Sequence, residues 1–412
     1  MYNKPVMREK ECLAECGSEK ERGKESYYGV YLNSKKPYLL YQEDSSAAYF
    51  VDKTDILKEL VPLLERKEDA NGNEKKETWQ SGRKGNRYIC ITRPRRFGKT
   101  VMANMITSYF EKGVDSRDIF RNLKASSYDW FEKHLNKHNV IHIMFNETPR
   151  KCSSYEQYIT RIESRLVKDL MREFPDVPIH EEEAVWDAFN TIIEFGREEK
   201  FIFVLDEWDF IFHRDFVTEA DKEDYIDFLR NLLKDQPYVE LAYMTGILPI
   251  AKYSSGSELN MFYEYTIVSM EKYSKYFGFT DEEVDELYER YLEIEQSPGV
   301  SREGLRIWYD GYQTLSGIRL YNPRSVVGAL DDNQLGNYWT SSGPYDEIFS
   351  AMVVYGFLSY GDGYISIPNK ELMDKFAEMV EKEPSLGYIH RLARQSERML
   401  KATKAGDTET GE

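Results

Sequence analysis

Residues 89–100, ICITRPRRFGKT, pass from an apolar run through a basic turn into Gly98, Lys99 and Thr100. Past the turn, Val101, Met102, Met105, Ile106, Tyr109 and Phe110 recur at helical spacing, so the turn opens a helix with one buried face. The first N–H groups of such a helix lack internal partners, and the positive end of its dipole favours an anion there. Lys99 adds an ammonium and Thr100 a hydroxyl, which completes the set that ATP and its Mg²⁺ require. The usual pattern carries a glycine five residues before the last one. Here that position is Arg93, followed by Pro94, Arg95, Arg96 and Phe97, so the loop is a variant of the Walker A phosphate loop.

Residues 201–205, FIFVL, read as a fully buried strand that delivers Asp206 and Glu207 at its end, the Walker B arrangement. In that reading Thr100 and Asp206 hold the metal, Lys99 bridges the outer phosphates, and Glu207 polarises the attacking water. Asp209 is an outer-sphere candidate. Residues 140–145 (VIHIMF) form a strand between the two motifs. Residues 239–245 (VELAYMT) form another, whose terminal Thr245 stands where a γ-phosphate sensor belongs; a simple strand cap is the alternative. Helical periodicity over 155–174 and 181–195 completes an α/β fold, a P-loop NTPase with a parallel β-sheet flanked by helices.

Beyond about residue 270 the pattern turns mainly helical, the clearest helix starting at Thr280 with Glu283 closing a capping box. The expected organisation is a flexible N-terminal arm over 1–36, a P-loop ATPase-like domain over 37–269, a helical, winged-helix-like domain over 270–400 and a polar tail over 401–412. Within the second part, 49–51 read as a short strand. A helix carries Ile56, Leu57, Leu60, Val61 and Leu64 from a cap at Thr54 or Asp55, with Pro62 kinking or shortening it, and 66–86 read as a polar surface loop. The aromatics Trp308, Tyr309, Tyr312, Tyr321, Tyr338 and Trp339 read as packed core in preference to a ligand site.

The chain resembles the AAA-ATPase-like family of bacterial proteins, whose members commonly carry a C-terminal PD-(D/E)XK nuclease-like domain. The resemblance rests on RPRRFGKT at 93–100, LDEWD at 205–209, TGILPIAK at 245–252, YFGFTDEEV at 276–284, YDGY at 309–312 and YNPRSV at 321–326. It implies that Arg93 in place of the first glycine is the family's habit, and that the loop from Arg93 to Val101 binds nucleotide. Where family members usually show an aromatic after Tyr-Asn-Pro, this chain has Arg324. In related ATPases a C-terminal domain lies against the nucleotide and contributes a basic sensor, for which Arg319 and Arg324 are the candidates. The chain ends at Glu412, so the nuclease-like domain, and any link to nucleic acid through it, is expected to be absent.

Composition narrows the alternatives. Against 55 basic residues stand 72 acidic ones, a formal net charge of −17, which opposes broad binding to nucleic acid. Nucleotide is therefore the better anion for Arg93, Arg95 and Arg96, with pairing to acidic neighbours as the alternative. Cys12, Cys16, Cys90 and Cys152 form no metal pattern and read as reduced thiols. His134, His138 and His142 straddle a strand and do not form a ligand cluster. The amino terminus lacks the apolar core of a signal peptide, and no run is long enough to span a membrane, so a cytoplasmic location is expected. Two functions remain: an ATPase, whose turnover stays very slow without a trans-acting arginine until the protein self-assembles, or a nucleotide-dependent switch with negligible turnover.

Overall fold

The computed structural model describes residues 28–64, 87–250, 258–267, 272–338, 356–361 and 364–382. Five strands, β1 (Tyr88–Thr92), β2 (Asn139–Met144), β3 (Phe201–Asp206), β4 (Val239–Gly246) and β5 (Tyr263–Tyr265), form one parallel sheet in the order β2-β3-β4-β1-β5. β2, the strand that separates the two motifs in sequence, lies near one edge, and β4 lies between their strands in space. The apolar runs face helices on both sides, as parallel strands must. On one face Cys90, Ile141, Phe203, Leu205 and Met244 pack with the helices α6 (Tyr155–Glu173), α7 (Val185–Glu194) and α8 (Glu219–Leu233). On the other, Ile89, Ile91, Val140, Val204 and Tyr243 pack with α1 (Lys35–Ser45), α2 (Leu57–Leu64) and α3 (Lys99–Phe110). The short helices α4 (Arg117–Phe120) and α5 (Phe131–His134) close that side.

The expected arm is not loose over its last residues. Leu32 bridges Ile141 antiparallel, the Asn33 N–H donates to the Val140 carbonyl at 2.8 Å, and Asp169 Oδ2 accepts from the Tyr31 and Leu32 N–H groups at 2.7 and 3.2 Å. The free edge of β2 supplies the reason, because its unpaired backbone groups need partners. Residues 49–51 are not a strand. Tyr49 is instead buried against the C-terminal helices. The α2 segment begins with a 3₁₀ turn at Thr54–Ile56 whose N-cap is Lys53, not Thr54 or Asp55, and Asp52 just before it accepts from the Thr54 N–H at 2.9 Å. Pro62 lies inside α2 without ending it there. The loop expected over 66–86 lies outside the described residues.

The C-terminal part takes over at Phe279. Tyr273, Tyr276 and Phe277 still belong to the core of the sheet, whereas Phe279 packs with Val284, Tyr291, Tyr309 and Tyr321. This part contains α9 (Asp281–Ile294), with the capping box between Thr280 and Glu283, then α10 (Arg302–Tyr309), α11 (Pro323–Asp331) and α12 (Lys370–Lys382). Two short antiparallel pairs interrupt the helices: β6 (Tyr312–Gln313) with β7 (Arg319–Leu320), and β8 (Ser359–Gly361) with β9 (Tyr364–Ser366). Of the aromatics expected in the core, Tyr309 and Tyr321 are fully buried and Tyr312 nearly so, Trp308 and Tyr338 are only partly buried against that core, and Trp339 lies outside the described residues. Among the described residues no helix is long and apolar enough to cross a membrane.

Asp169→Ala removes the acceptor that holds residues 31 and 32 to α6, beside their backbone contacts with β2, and leaves two buried N–H groups unpaired. Urea unfolding should show a loss of about 1–3 kcal/mol, with proteolysis near residue 31 accelerated.

Candidate functional site

Arg93 ends β1, but its side chain does not face a ligand. It is buried, and its Nη1 donates to the carbonyls of Thr92 at 2.8 Å and Tyr265 at 2.7 Å. Nη2 reaches Ser274 Oγ at 3.4 Å, and the guanidinium lies 5.2 Å from the centre of the Phe277 ring. This corrects the expectation that nucleotide is the anion for Arg93. Its backbone does not have positive φ, so no glycine is needed there, and the side chain is free to enter the interior between β1, β5 and the segment before α9.

The left-handed positions come later in the loop, at Arg96 with φ 67° and Gly98 with φ 80°. Gly98 is the N-cap of α3, and an L side chain there would be strained although nothing crowds it. The turn aims the free N–H groups of Lys99, Thr100 and Val101 into a cavity of about 900 Å³. Lys99 Nζ donates to the carbonyls of Arg93 and Pro94, each at 2.9 Å, and stays within the loop. Burial lowers its pKa to about 8, against the opposing pull of Asp209, Asp206 and Glu207.

The second motif arrives from β3. Asp206 is fully buried, its Oδ1 accepts the Thr245 hydroxyl, and its Oδ2 has no hydrogen-bond partner among the described residues. Thr245, expected to read the γ-phosphate, is thus committed to Asp206 and does not line the cavity. Oδ2 of Asp206 and the Thr100 hydroxyl are the oxygens that could ligate a hard cation. Among the described residues no group of three or more His, Cys, Asp or Glu could hold a metal. His134 Nδ1 and His138 Nε2 lie 3.0 Å apart and pair with each other.

Glu207 adopts φ 54°, a costly conformation for a side chain with a Cβ, and it lines the cavity. Burial and the neighbouring Asp206 raise its pKa, while Lys99 and a hydrogen bond with Asn146 pull it down. Asn146, just beyond β2, was not legible as a site residue, because nothing in the spacing ties it to Glu207. Trp208 and Gly246 were also missed. A Cβ on Gly246 would come within 2.4 Å of the fully buried indole, so the glycine after Thr245 is a packing requirement. Asp209, an outer-sphere candidate, instead accepts from the Ile247 and Leu248 N–H groups at 3.0 and 2.7 Å and shapes the exit of β4.

The C-terminal part grips the loop. Phe97 is buried against Ile267, Tyr312, Leu320 and Leu372, with the Tyr312 ring 4.8 Å away edge-on. Arg96 donates to the Tyr338 carbonyl, Asn322 Nδ2 donates to the Arg95 carbonyl at 3.4 Å, and a Cβ on Gly356 would come within 2.5 Å of Pro94. Pro94, like Arg93, does not line the cavity, whereas Arg95 through Val101 do. Of the two basic candidates, Arg324 lines the cavity, and Arg319 pairs with Asp310 at 2.9 Å. Tyr41, Tyr49, Phe50, Met105, Phe279 and Val327 contribute apolar lining to the same cavity.

Residues 80–255 match the family model AAA-ATPase-like, described as Predicted AAA-ATPase. The chain is also 24% identical over 312 residues to the "Uncharacterized protein in vnfD 5'region" of Azotobacter chroococcum mcd 1. That alignment takes in 72% of this chain and 51% of the relative, so the chain spans about half the length of the curated relative it matches.

Arg93→Gly, which restores the commonest form of the loop, should unfold at lower urea, with a loss of about 2–4 kcal/mol from the emptied space and the two orphaned carbonyls. A side chain serving only as a phosphate ligand would leave the unfolding midpoint in place.

Proposed function

We propose that this chain, which over residues 80–255 belongs to the AAA-ATPase-like family, binds Mg-ATP and hydrolyses it, and that the C-terminal part responds to the nucleotide. The observation that carries the reading is the convergence of Lys99, Thr100, Glu207 and Arg324 on one cavity, with the buried Asp206 behind it. In this reading Lys99 leaves the loop carbonyls for the outer phosphate oxygens, and the N–H groups of α3 take the remaining phosphate charge. Mg²⁺, held by Thr100 and Asp206, supplies charge neutralisation on the phosphates. Thr245 keeps the Asp206 carboxylate in one orientation. Glu207 orients the attacking water, and Asn146 holds Glu207 until nucleotide arrives. The apolar lining from Tyr41 to Val327 receives the base.

The packing around Phe97 also supports the switch reading, in which binding matters more than turnover. The tip of the phosphate loop is part of the core of the C-terminal part, so a loop that rearranges on nucleotide must move that core. We read α9, α10, α11 and the β6–β7 pair as a winged-helix-like lid, with Arg324 as its phosphate-facing residue.

Two measurements test this. Titration with ATP and Mg²⁺ should show binding by the parent and by Glu207→Gln but not by Lys99→Ala, and only the parent should turn over; a parent that binds no nucleotide sinks both readings. Binding should also depend on pH. Lys99 ionises near 8 in the free protein, and bound polyphosphate raises that value, so the complex holds a proton that the free protein has lost above pH 8. Affinity should therefore be level below pH 8 and fall above it by at most about tenfold per unit, and Lys99→Arg should flatten the profile.

A further inference from the structure

Phosphoryl transfer in this fold commonly needs an arginine on the charge that develops at the γ-phosphate, and such a residue contributes several powers of ten. Most basic side chains near this cavity are already engaged. Arg93 is turned into the interior, Arg96 donates to Tyr338, Arg319 pairs with Asp310, and Arg324 approaches from the C-terminal side. Arg214 differs from all of these. It follows Glu207 by seven positions, just after the 3₁₀ turn Phe210–His213, and lines the cavity together with Glu207, Asp209 and Phe210.

Its guanidinium centre lies 5.2 Å from the Phe210 ring and 5.7 Å from the Phe216 ring. Backbone bonds fix the turn that carries it: the Arg214 N–H donates to Ile211 at 3.2 Å, and its carbonyl accepts from Val217 at 3.1 Å. Among the described residues the guanidinium meets no carboxylate and no carbonyl, although the chain has 72 acidic residues and Asp215 is adjacent. Stacking between two rings orders an arginine without using its five N–H donors. A cation held in this way on the lining of the cavity that the start of α3 also lines, in so acidic a protein, is pre-organised for an incoming anion.

We propose that Arg214 is the arginine that stabilises the transferring γ-phosphoryl group in cis. The proposal rests on the ATPase reading above. In the step concerned, water oxygen forms a bond to the γ-phosphorus and the bond from that phosphorus to the β,γ-bridging oxygen breaks. ADP leaves with the electron pair, and the proton of the water passes to Glu207 and on to solvent. Arg214 takes up the negative charge on the γ-oxygens as the two bonds exchange, a task that no second copy of the chain then has to perform.

The test compares the full chain with Arg214→Ala and Arg214→Lys. It uses steady-state ATP hydrolysis and calorimetric binding of a non-hydrolysable ATP analogue and of ADP with aluminium fluoride. Arg214→Ala should bind the ATP analogue within about threefold of the parent, lose at least about a hundredfold in kcat, and lose the preference for ADP–aluminium fluoride over ADP. Arg214→Lys, which keeps the charge but not the fork, should recover less than about a tenth of the lost rate. An Arg214→Ala protein that hydrolyses within threefold of the parent overturns the proposal and leaves the ATPase reading standing; Arg214 would then serve a different anion. Equal losses in analogue affinity and in kcat/KM overturn it too, since they describe ground-state binding. A parent whose turnover matches that of Glu207→Gln removes the ATPase reading itself, and the role of Arg214 falls with it.

Discussion

The buried guanidinium of Arg93 is the constraint on which the site depends. It joins the end of β1 to the carbonyl of Tyr265 on β5 and to Ser274 in the segment that leads to the C-terminal helices. Removing an arginine from water is costly, and carbonyl oxygens on two strands with an aromatic face beside them are what make it tolerable here. With that anchor set, the chain can only leave the sheet along one path. Pro94 to Phe97 then project toward the C-terminal part, and Gly98 turns back to start α3.

The second consequence is that the loop from Arg93 to Gly98 belongs to two cores at once. Its root is tied to the sheet through Arg93 and its tip to the C-terminal part through Phe97. A loop free at its tip could close on phosphate at little cost to the rest of the molecule. This one cannot, since packed interiors do not deform continuously and neighbouring elements shift as units. The same arrangement explains why Lys99 rests on the carbonyls of Arg93 and Pro94: the ammonium keeps partners in the dry loop until a better anion takes it.

At the end of β3, the residues around Asp206 and Glu207 divide the work of support. Thr245 orients Asp206, Asn146 restrains Glu207, and Asp209 fixes the exit of β4 through two backbone N–H groups. Trp208 packs on Gly246 and locks the two strand ends side by side. The positive φ of Glu207 is the strained element, and these contacts on either side of it are strong enough to hold it.

By itself, the sequence determined the local parts. Apolar runs long enough for buried strands, helical spacing after Gly98, the capping box at Thr280 and the Asp206-Glu207 pair at a strand end were all legible, because each depends on neighbours within a few residues. It also placed Lys99 and Thr100 at the start of a helix. Tertiary structure alone decided the strand order, with β4 set between the strands of the two motifs, and it decided where long side chains went. Arg93 looked like a phosphate ligand, Thr245 like a sensor and residues 29–36 like part of a loose arm. Each was redirected by a partner more than thirty residues away: Tyr265 for Arg93, Asp206 for Thr245, and β2 with Asp169 for the arm. A polar side chain is claimed by whichever unsatisfied group the fold brings within reach, and that neighbour is set by packing, not by spacing along the chain.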